Sequence, residues 1–467
     1  MTNAEQLAAF VIRVKFEDLS LSARAELRKR VLDAMGCAIG ALGTSIASIL
    51  RAHTNELGGK GVCTLLGGGS SAPDRAAFFN TALVRYLDFN DSYLAKGETC
   101  HPSDNLGSVL AACEYADGSG RDFLTALAVA YQVQCRLSDV APVRARGFDH
   151  TTQGAYAAAA GIAKALGLDQ NRTANALAIS GASFNALRVT RTGALSNWKG
   201  LAYANTAFGC MHAALLAQHG ITGPLEIFEG KKGFMDTISG RFDIDWARED
   251  LERVTETILK KFNAEIHSQS AIEGILELKQ KYTLTGHEIE QVDIEIFDVA
   301  FDIIGGGEEG DKRIVNRKEE ADHSLPYLVA VALLDGTVMP AQFLPDRIHG
   351  EDVQKLLQKI HVRPSQEFSR HFPQELLCRL RLLLKDGRTL SVEKHDYEGF
   401  TTRPASWESV VRKFRGLSGH LTTSSQAQIV DAVAGLETIP IRRLTELSRQ
   451  ITLAPLDQQQ GVVLYGP

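Results

Sequence analysis

The sequence predicts a mainly α-helical protein that also contains a smaller α+β domain. Over roughly the first 250 residues, apolar side chains recur at helical spacing and alanine is abundant, whereas after about residue 270 they alternate with charged side chains as in strands. From Ser406 onward the helical pattern returns. We therefore expect a large all-helical domain that is discontinuous in sequence (1–268 and 404–467) and an inserted, lid-like α+β domain (269–403).

The helices of the large domain are predicted from faces of apolar residues. From residue 27 to residue 39 the apolar side chains fall at i, i+4, i+7, i+8, i+11 and i+12, which is one side of an α-helix. Residues 122–137 continue in the same style, and each of three alanine-rich segments ends near a glycine. These segments predict helices over residues 155–166, 173–182 and 205–218.

The strands of the smaller domain are predicted from alternation. Apolar residues alternate with acidic residues over 292–296, which indicates a half-buried strand. Apolar residues at 378, 380 and 382 alternate with arginines. Asp386-Gly387 separates this segment from the next apolar run, which predicts a β-hairpin. Residues 327–334 are continuously apolar and favour a helix.

The composition excludes several classes of partner. A formal net charge of −6 and 44% hydrophobic residues argue against a nucleic-acid ligand and against disorder. No apolar run reaches the ~18 residues that a membrane helix needs, and the N-terminal segment lacks the pattern of a secretory signal. We expect neither a nucleic acid nor a membrane as a partner.

Cofactor motifs are missing from the sequence. The seven cysteines are scattered without a C-x-x-C, which argues against disulfides and cysteine-built metal sites and favours small buried thiols in a reducing cytoplasm. The thirteen histidines show no H-E-x-x-H or similar spacing. Residues 305–310 satisfy G-x-G-x-x-G, but Glu308 and Glu309 would repel a pyrophosphate and no βαβ pattern surrounds them. The sequence therefore predicts no metal and no cofactor.

A first concentration of protic residues lies between residues 88 and 101. Asp88, Asp91, Ser92 and His101 lie within a short segment that Gly97 and Pro102 mark as partly loop. For His101 we favour a role in proton transfer, whereas for Asp104 we favour the cap of the next helix.

Further candidates are spread along the chain. His150 precedes a helix that Thr151 or Thr152 would cap, and it is equally well a surface residue. Arg188, with Arg191 and Lys199, offers three cations in 12 residues, which suit a carboxylate ligand or a solvated loop.

Two more segments combine charged and protic groups. Lys260, Lys261 and His267 lie within eight residues where the composition changes, which suits a site at a domain boundary or a charged helix face. Tyr327 begins an apolar helix and is either a proton donor or a packed residue with a satisfied hydroxyl. Together the candidates suit acid/base chemistry on an anionic substrate. We expect this substrate to be a small molecule.

Long stretches at these same segments resemble the MmgE/PrpD family, which includes 2-methylcitrate dehydratase and cis-aconitate decarboxylase. The resemblance runs through nearly the whole chain, in order. The stretches that carry it are LDFNDSYLAKGETCHPSDNLGSVLAA, GALSNWKGLAYANTAFGCMHAALLA, GITGPLEIFEGKKGF, FNAEIHSQSAIE, ADHSLPYLVAVALLDG and RPASWESVVRKF.

The resemblance implies a domain architecture, an oligomeric state and a reaction without an iron–sulfur cluster. It implies a helical domain made from the N-terminal part and the C-terminal tail, an α+β domain inserted before the tail, and an active site between the two. It also implies a homodimer that works without an iron–sulfur cluster, in propionate metabolism.

Family motifs are carried over onto individual residues. Asp88, Asp91 and Ser92 match D-F-x-D-[TS], and His101 matches H-P-S. The remaining matches are His150, Lys199, His267 with Lys260 or Lys261 just ahead of it, and Tyr327 at the end of D-H-S-L-P-Y.

This sequence departs from the family pattern at three places. Asn263 replaces the usual proline, and Glu265 stands where the decarboxylase branch carries histidine, which resembles the dehydratase branch. The segment GALSNWKG differs from the R-K-S-W form of 2-methylcitrate dehydratases.

Residues and resemblance together predict a carbon–oxygen lyase that dehydrates 2-methylcitrate or a similar tricarboxylate without a cofactor. We expect His101 and Tyr327 to transfer protons, and Lys199 and Arg188 to hold carboxylates. The alternatives are decarboxylation of cis-aconitate, epimerisation of an amino- or imino-dicarboxylate, and a non-catalytic scaffold or carboxylate-binding protein that keeps the fold.

Overall fold

The structure is a computed structural model that describes residues 1–193 and 195–451. Its residues group into two compact units. The first comprises Met1–Thr190, Gly200–Thr257 and the described residues from Ser406 on, and the second comprises Arg191–Lys199 and Ile258–Ala405. Helices dominate and the sheets are small, as the predicted mainly α class requires.

The N-terminal stretch of the chain is helical, as predicted. Each predicted helix up to residue 218 falls within an observed one apart from residue 166, which follows the end of its helix, because the apolar face that predicts it is the face that the unit buries. The helices are α1 (Asn3–Arg13), α2 (Leu21–Ala41), α3 (Ser45–Leu57), α4 (Pro73–Tyr86), α5 (Leu106–Tyr115), α6 (Gly120–Val140), α7 (Thr151–Ala165), α8 (Gln170–Ser183) and α9 (Trp198–Gln218).

Short antiparallel strand pairs interrupt these helices. Strand β1 (Cys63–Thr64) pairs with β2 (Ser70–Ser71), and β3 (Tyr93–Ala95) pairs with β4 (Glu98–Cys100). The second pair lies in the segment that carries the first group of candidate site residues, so part of that predicted loop is a small hairpin.

The second unit combines helices with a mixed sheet. Its sheet has the order β6-β5-β7-β8, in which β5 and β6 are parallel and the other neighbours are antiparallel. The elements are α10 (Gln269–Tyr282), β5 (Ile289–Ile296), α11 (Asp298–Ala300), α12 (Lys318–Ala321), α13 (Leu325–Asp335), α14 (Pro345–Ile348), α15 (Glu351–Leu357), β6 (Ile360–Pro364), α16 (Gln366–Ser369), β7 (Cys378–Leu384) and β8 (Thr389–Lys394).

The predicted hairpin of the second unit is confirmed. Strands β7 and β8 pair antiparallel, and Gly387 in the turn has a φ of 86°, a conformation that glycine adopts without steric cost. Strand β6 lacks a sequence signal, because it lies at the sheet edge and most of its side chains are exposed.

The C-terminal stretch returns to helices within the described residues. Helix α17 (Trp407–Leu417) packs against α2, where a Cβ on Gly36 would lie 3.3 Å from the Cα of Phe414. Helices α18 (Thr423–Ala434) and α19 (Ile441–Arg449) follow. Ser406 caps α17 by accepting a hydrogen bond from the backbone NH of Ser409, which explains why the helical pattern begins there.

All seven cysteines are buried free thiols, as the sequence predicts. Burial raises the pKa of the Cys210 thiol to about 12, so this thiol stays neutral and apolar. The G-x-G-x-x-G run lies at a π-helical turn, Phe301–Gly305, which is not the strand-to-helix turn of a nucleotide site.

Among the described helices, none is by itself both long and apolar enough to cross a membrane. Helices α2 and α3 are long and apolar enough only when they are taken together, and the chain bends by 89° between them.

Candidate active site

The first cluster of candidate residues begins where α4 ends. Asp88 is buried with a φ of 56°, a left-handed conformation that aspartate tolerates and that turns the chain out of the helix. Arg85, on the last turn of α4, donates from Nη1 to Oδ1 of Asp88 at 2.6 Å. This buried ion pair fixes the start of the segment that leads to His101.

Asp91 holds that segment against α6. Its Oδ1 accepts hydrogen bonds from the backbone NH of Ser103 at 3.0 Å and from the Ser103 hydroxyl at 2.6 Å. Its Oδ2 accepts from the Tyr131 hydroxyl at 2.7 Å. Both oxygens are thus bound to protein groups, and these bonds hold the segment that carries His101.

His101 is held in one tautomer by the same segment. Its Nδ1 lies 2.8 Å from the backbone carbonyl oxygen of Asp91 and 3.1 Å from the Ser92 hydroxyl. A carbonyl oxygen only accepts, so we assign the hydrogen to Nδ1. In the neutral ring, Nε2 then carries the lone pair that a general base needs.

A second imidazole lies beside the first. The rings of His101 and His150 meet edge to face with their centroids 5.4 Å apart, and His150 also stacks near Tyr203. Nδ1 of His150 is 3.4 Å from Oδ1 of Asp149. His150 is buried, so of its two predicted environments the surface is excluded.

Two of the expected helix caps differ from the structure. Helix α7 begins at Thr151, and Asp149 accepts a hydrogen bond from the backbone NH of Thr151 at 3.2 Å, so the two threonines lie inside the first turn. Asp104 does not cap α5. Its carboxylate accepts from Asn90 at 2.9 Å and lies 3.6 Å from Nε of Arg85, because the guanidinium attracts it more strongly than a helix end does.

Arg188 is half-buried near the same helix end. Its Nη1 lies 3.9 Å from Oδ2 of Asp149. The guanidinium of Arg188 thus faces a carboxylate that already contacts His150 and the start of α7. This environment differs from the solvated loop that the sequence also allowed.

The second unit contains a cluster centred on Asp322. Nζ of Lys199 lies 2.7 Å from Oδ1 of Asp322 and 2.8 Å from Nδ1 of His323, and Nζ of Lys318 lies 2.8 Å from Oδ2. Burial by itself would raise the pKa of Asp322, but the charges of Lys199, Lys318 and His323 hold it well below its usual range. Asp322 is therefore a permanent anion that keeps these cations in place.

Glu265 holds His267 at two points. Its Oε1 lies 2.7 Å from Nδ1 of the imidazole, and its Oε2 accepts from the backbone NH of His267 at 2.7 Å. Burial would raise the pKa of Glu265, but His267, His323 and Lys260 together lower it to about 2. The backbone NH of Glu265 donates to the carbonyl of Asp322 at 3.0 Å, which joins this pair to the Asp322 cluster.

The two adjacent lysines have different environments. Lys260 is 1% exposed and its charge acts on Glu265. Lys261 is about one-third exposed and pairs with Glu273 at 2.9 Å and with Glu398 at 3.1 Å. Lys260 therefore belongs with the Asp322 cluster, and Lys261 belongs to a separate ion-pair network.

Tyr327 is fully buried at the start of α13. Its hydroxyl donates to the backbone carbonyl of Gln342, and burial raises its pKa above the ordinary value. This environment matches the packed residue with a satisfied hydroxyl that the sequence also allowed.

Sequence models of the MmgE/PrpD N-terminal domain and the MmgE/PrpD C-terminal domain match residues 5–247 and 262–438. The chain belongs to the MmgE/PrpD family. The resemblance that the motifs suggested is thereby confirmed along most of the sequence.

Curated relatives of this chain are named as dehydratases and as a decarboxylase. It is 28% identical to the 2-methylcitrate dehydratase of Escherichia coli K12 over 405 residues, which is 80% of this chain and 82% of the relative. It is 28% identical to that of Cupriavidus necator over 460 residues, 90% of this chain and 92% of the relative. It is 25% identical to the cis-aconitate decarboxylase of Mus musculus over 463 residues, 93% and 91% of the two chains.

Sequence reasoning did not identify several residues of the Asp322 cluster in the second unit. Asp322 and His323 stand inside the quoted D-H-S-L-P-Y motif, and that motif is the signal that could have found them. Lys318 and Lys312 lie in a charged stretch that looks like solvated surface. Burial lowers the pKa of Lys312, while the charges of Glu309, Glu265 and Asp322 oppose that change.

Four lysines contribute positive charge to this cluster. They interact with Asp322 or Glu265, and Lys312 also interacts with Glu309 and Glu320. The lysines concerned are Lys199, Lys260, Lys312 and Lys318.

Proposed function

We propose that the chain is a hydro-lyase that removes water from 2-methylcitrate or a similar tricarboxylate. The observation that carries the proposal is the tautomer of His101, whose Nδ1 is bound to the carbonyl of Asp91 so that Nε2 is the basic nitrogen. The names of the bacterial relatives support the reaction, and the lysines gathered around Asp322 and Glu265 support a substrate with several carboxylates.

The elimination begins at the carbon next to a carboxylate. Nε2 of His101 takes the proton from this carbon, and the electrons of the C–H bond form the new double bond. The C–O bond on the neighbouring carbon breaks, and the departing hydroxide takes a proton from a general acid and leaves as water. The product is an aconitate-type alkene, and no electrons are gained or lost overall.

His150 is our candidate for the general acid. Its ring lies 5.4 Å from that of His101, centroid to centroid, and the carboxylate of Asp149 beside its Nδ1 stabilises the protonated ring. The sequence favoured Tyr327 for proton transfer, but its hydroxyl already donates to the carbonyl of Gln342. The proposal therefore assigns the proton of the leaving group to His150.

Lys199 and Arg188 are proposed to bind substrate carboxylates. Ammonium and guanidinium groups supply the charge-assisted hydrogen bonds that carboxylates need. Asp322 orients Lys199, because its Oδ1 lies 2.7 Å from Nζ of the lysine.

Decarboxylation of cis-aconitate is the second candidate. The decarboxylase relative aligns with 93% of this chain at 25% identity, slightly below the 28% of the two dehydratase relatives. Against it stands Glu265, which is acidic and clamps His267, where the decarboxylase branch carries a histidine.

One incubation separates these reactions. Purified protein receives 2-methylcitrate, citrate and cis-aconitate in parallel, with and without a chelator, and products are identified by mass spectrometry. We expect loss of water from 2-methylcitrate, with the same rate in chelator. Itaconate from cis-aconitate would identify a decarboxylase, and turnover of none of the three would favour an epimerase or a non-catalytic binding protein.

The proposal includes a homodimer in the cytoplasm. Analytical ultracentrifugation at micromolar concentration is the direct measurement of the assembly. We expect twice the mass of the 50.8 kDa chain, and a sedimenting monomer would contradict this part of the proposal.

A further inference from the structure

A cavity of about 140 Å³ opens in the first unit, lined by residues of α3, α4 and α9. None of the candidate catalytic residues lines it. Arg75, on its wall, is ten residues before Arg85 on α4, which corresponds to ~15 Å along the helix. The residues that matter for its chemistry are His53, Leu57, Arg75, Phe78, Asn205 and Phe208.

The cavity as a whole has the size of one ring. Phe78, Phe208 and Leu57 form the apolar part of its wall, and Leu57 is 51% exposed. A cavity of about 150 Å³ accommodates benzene in a protein interior. The space here therefore fits a single aromatic ring or a branched alkyl group of similar volume.

The polar part of the cavity consists of donors. The guanidinium of Arg75 is half-buried and lies over the ring of Phe208 at 5.9 Å. Within residues 1–193 and 195–451, no carboxylate pairs with it and no oxygen accepts a hydrogen bond from it. A guanidinium offers five N–H donors, and in this half-buried position they are available to an anionic ligand.

The surrounding side chains reinforce the preference for an anion. His53 and Asn205 add an imidazole and an amide to the rim, and none of the described lining residues is acidic. An aromatic wall next to an unpaired guanidinium is the combination that recognises a carboxylate attached to an apolar body.

We propose that this cavity is a binding site for a small monocarboxylate with a ring-sized apolar body. The carboxylate pairs with Arg75, and the apolar body packs against Phe78 and Phe208. A tricarboxylate does not suit it, because two of its three carboxylates would face apolar walls. The site is separate from the proposed dehydration and does not depend on it.

Phenylacetate is the probe that tests the site, because it joins one ring to one carboxylate. Binding is measured by isothermal titration calorimetry, and its location by the shift of the Leu57 methyl resonances in a methyl-labelled protein. We expect saturable binding of phenylacetate. The ring without the charge, 2-phenylethanol, and the charge without the ring, acetate, should each bind at least about tenfold more weakly.

Variants separate this cavity from other sites. Arg75→Gln removes the charge and should weaken phenylacetate binding about tenfold or more. Arg241→Gln is the matched control, because Arg241 is an exposed arginine of the same unit that does not line the cavity. Asn205→Phe narrows the opening without altering a buried residue, so it tests the site even if Arg75→Gln folds poorly.

The outcomes are distinct. Loss of binding in Arg75→Gln and Asn205→Phe, with Arg241→Gln unchanged, supports the proposal, as does unchanged turnover of the dehydration substrate in those variants. Absence of saturable binding, equal binding in Arg75→Gln, or shifts that leave the Leu57 methyl groups unaffected would overturn it. So would a Leu57 shift that depends on protein concentration alone, because a second copy of the chain would then occupy the cavity.

Discussion

Lys413 on α17 donates a hydrogen bond to the backbone carbonyl of Phe89 at 2.7 Å, and its ammonium lies 3.8 Å from the centroid of the Phe89 ring. The same Nζ lies 2.6 Å from Oδ1 of Asp33 on α2. A residue of α17 thus fastens the segment between Asp88 and Asn90 to the helical core. His101 depends on that segment for its orientation, so α17 helps to position the proposed base.

Lys413→Met should destabilise the protein, because it leaves the carboxylate of Asp33 buried without its cation. Breaking a buried ion pair in this way costs about 3–5 kcal/mol, measurable as a lower free energy of unfolding in urea. The double variant Asp33→Asn, Lys413→Met removes the orphaned charge as well and should recover part of this loss. If both variants were equally destabilised, the ion pair would not be the cause.

His101→Gln should remove the proposed base and preserve the conformation of the segment that carries it. The glutamine amide can still donate to the carbonyl of Asp91, but it cannot take a proton from carbon. We expect kcat to fall about 10²–10⁴-fold with an unchanged melting temperature. His219→Gln is the control, since His219 is exposed at the end of α9. Normal turnover in His101→Gln would exclude His101 as the base.

Glu265→Gln should act on the reaction through His267. The amide can still accept one hydrogen bond, but the negative charge that faces the imidazole is lost. A positioning role predicts a fall in kcat of about 10²-fold with little change in KM, and partial rescue by Glu265→Asp. A purely structural role would lower stability and leave kcat per folded molecule as before.

Glu273 should make the second unit sensitive to acid. Burial would raise its pKa, but Arg403 and Lys261 lower it from 4.5 to about 2. Because the folded pKa lies below the unfolded value, its stabilisation is complete above about pH 5 and is lost as the pH falls toward 2.

The comparison of wild type with Glu273→Gln measures this contribution. Urea unfolding should show a difference of about 2 kcal/mol at pH 7 that shrinks steadily below about pH 5. Glu277→Gln, which removes a more exposed carboxylate one turn along α10, is the matched control and should change little. A difference that stays constant down to pH 3 would contradict the assignment.

The sequence by itself determined the class of the fold and the family. Helical faces in α2, α6, α7 and α8, and the Asp386-Gly387 turn, depend on spacing and backbone preference, which are local properties of the chain. The motifs that contain His101, Lys199 and His267 are also local, because a motif is recognised from residue types at a fixed spacing in the sequence.

Only the tertiary structure decided what each of these residues does. Asp91 is one of a group of protic residues in the sequence, and the structure shows that Ser103 and Tyr131 bind its oxygens. Tyr327 looked like an acid, yet the carbonyl of Gln342 accepts its hydrogen bond. In each case the partner is distant in sequence, so no local pattern could reveal it.

The neighbouring lysines show the physical reason most clearly. Lys260 and Lys261 are adjacent and chemically identical, but one is buried near Glu265 and the other pairs with Glu273 and Glu398 near the surface. Likewise, Arg75 is one of many arginines in the sequence, and only the packing of α3, α4 and α9 places it on a cavity wall. Burial and charge pairing are set by three-dimensional neighbours, and these decide whether a side chain binds, positions or merely solubilises.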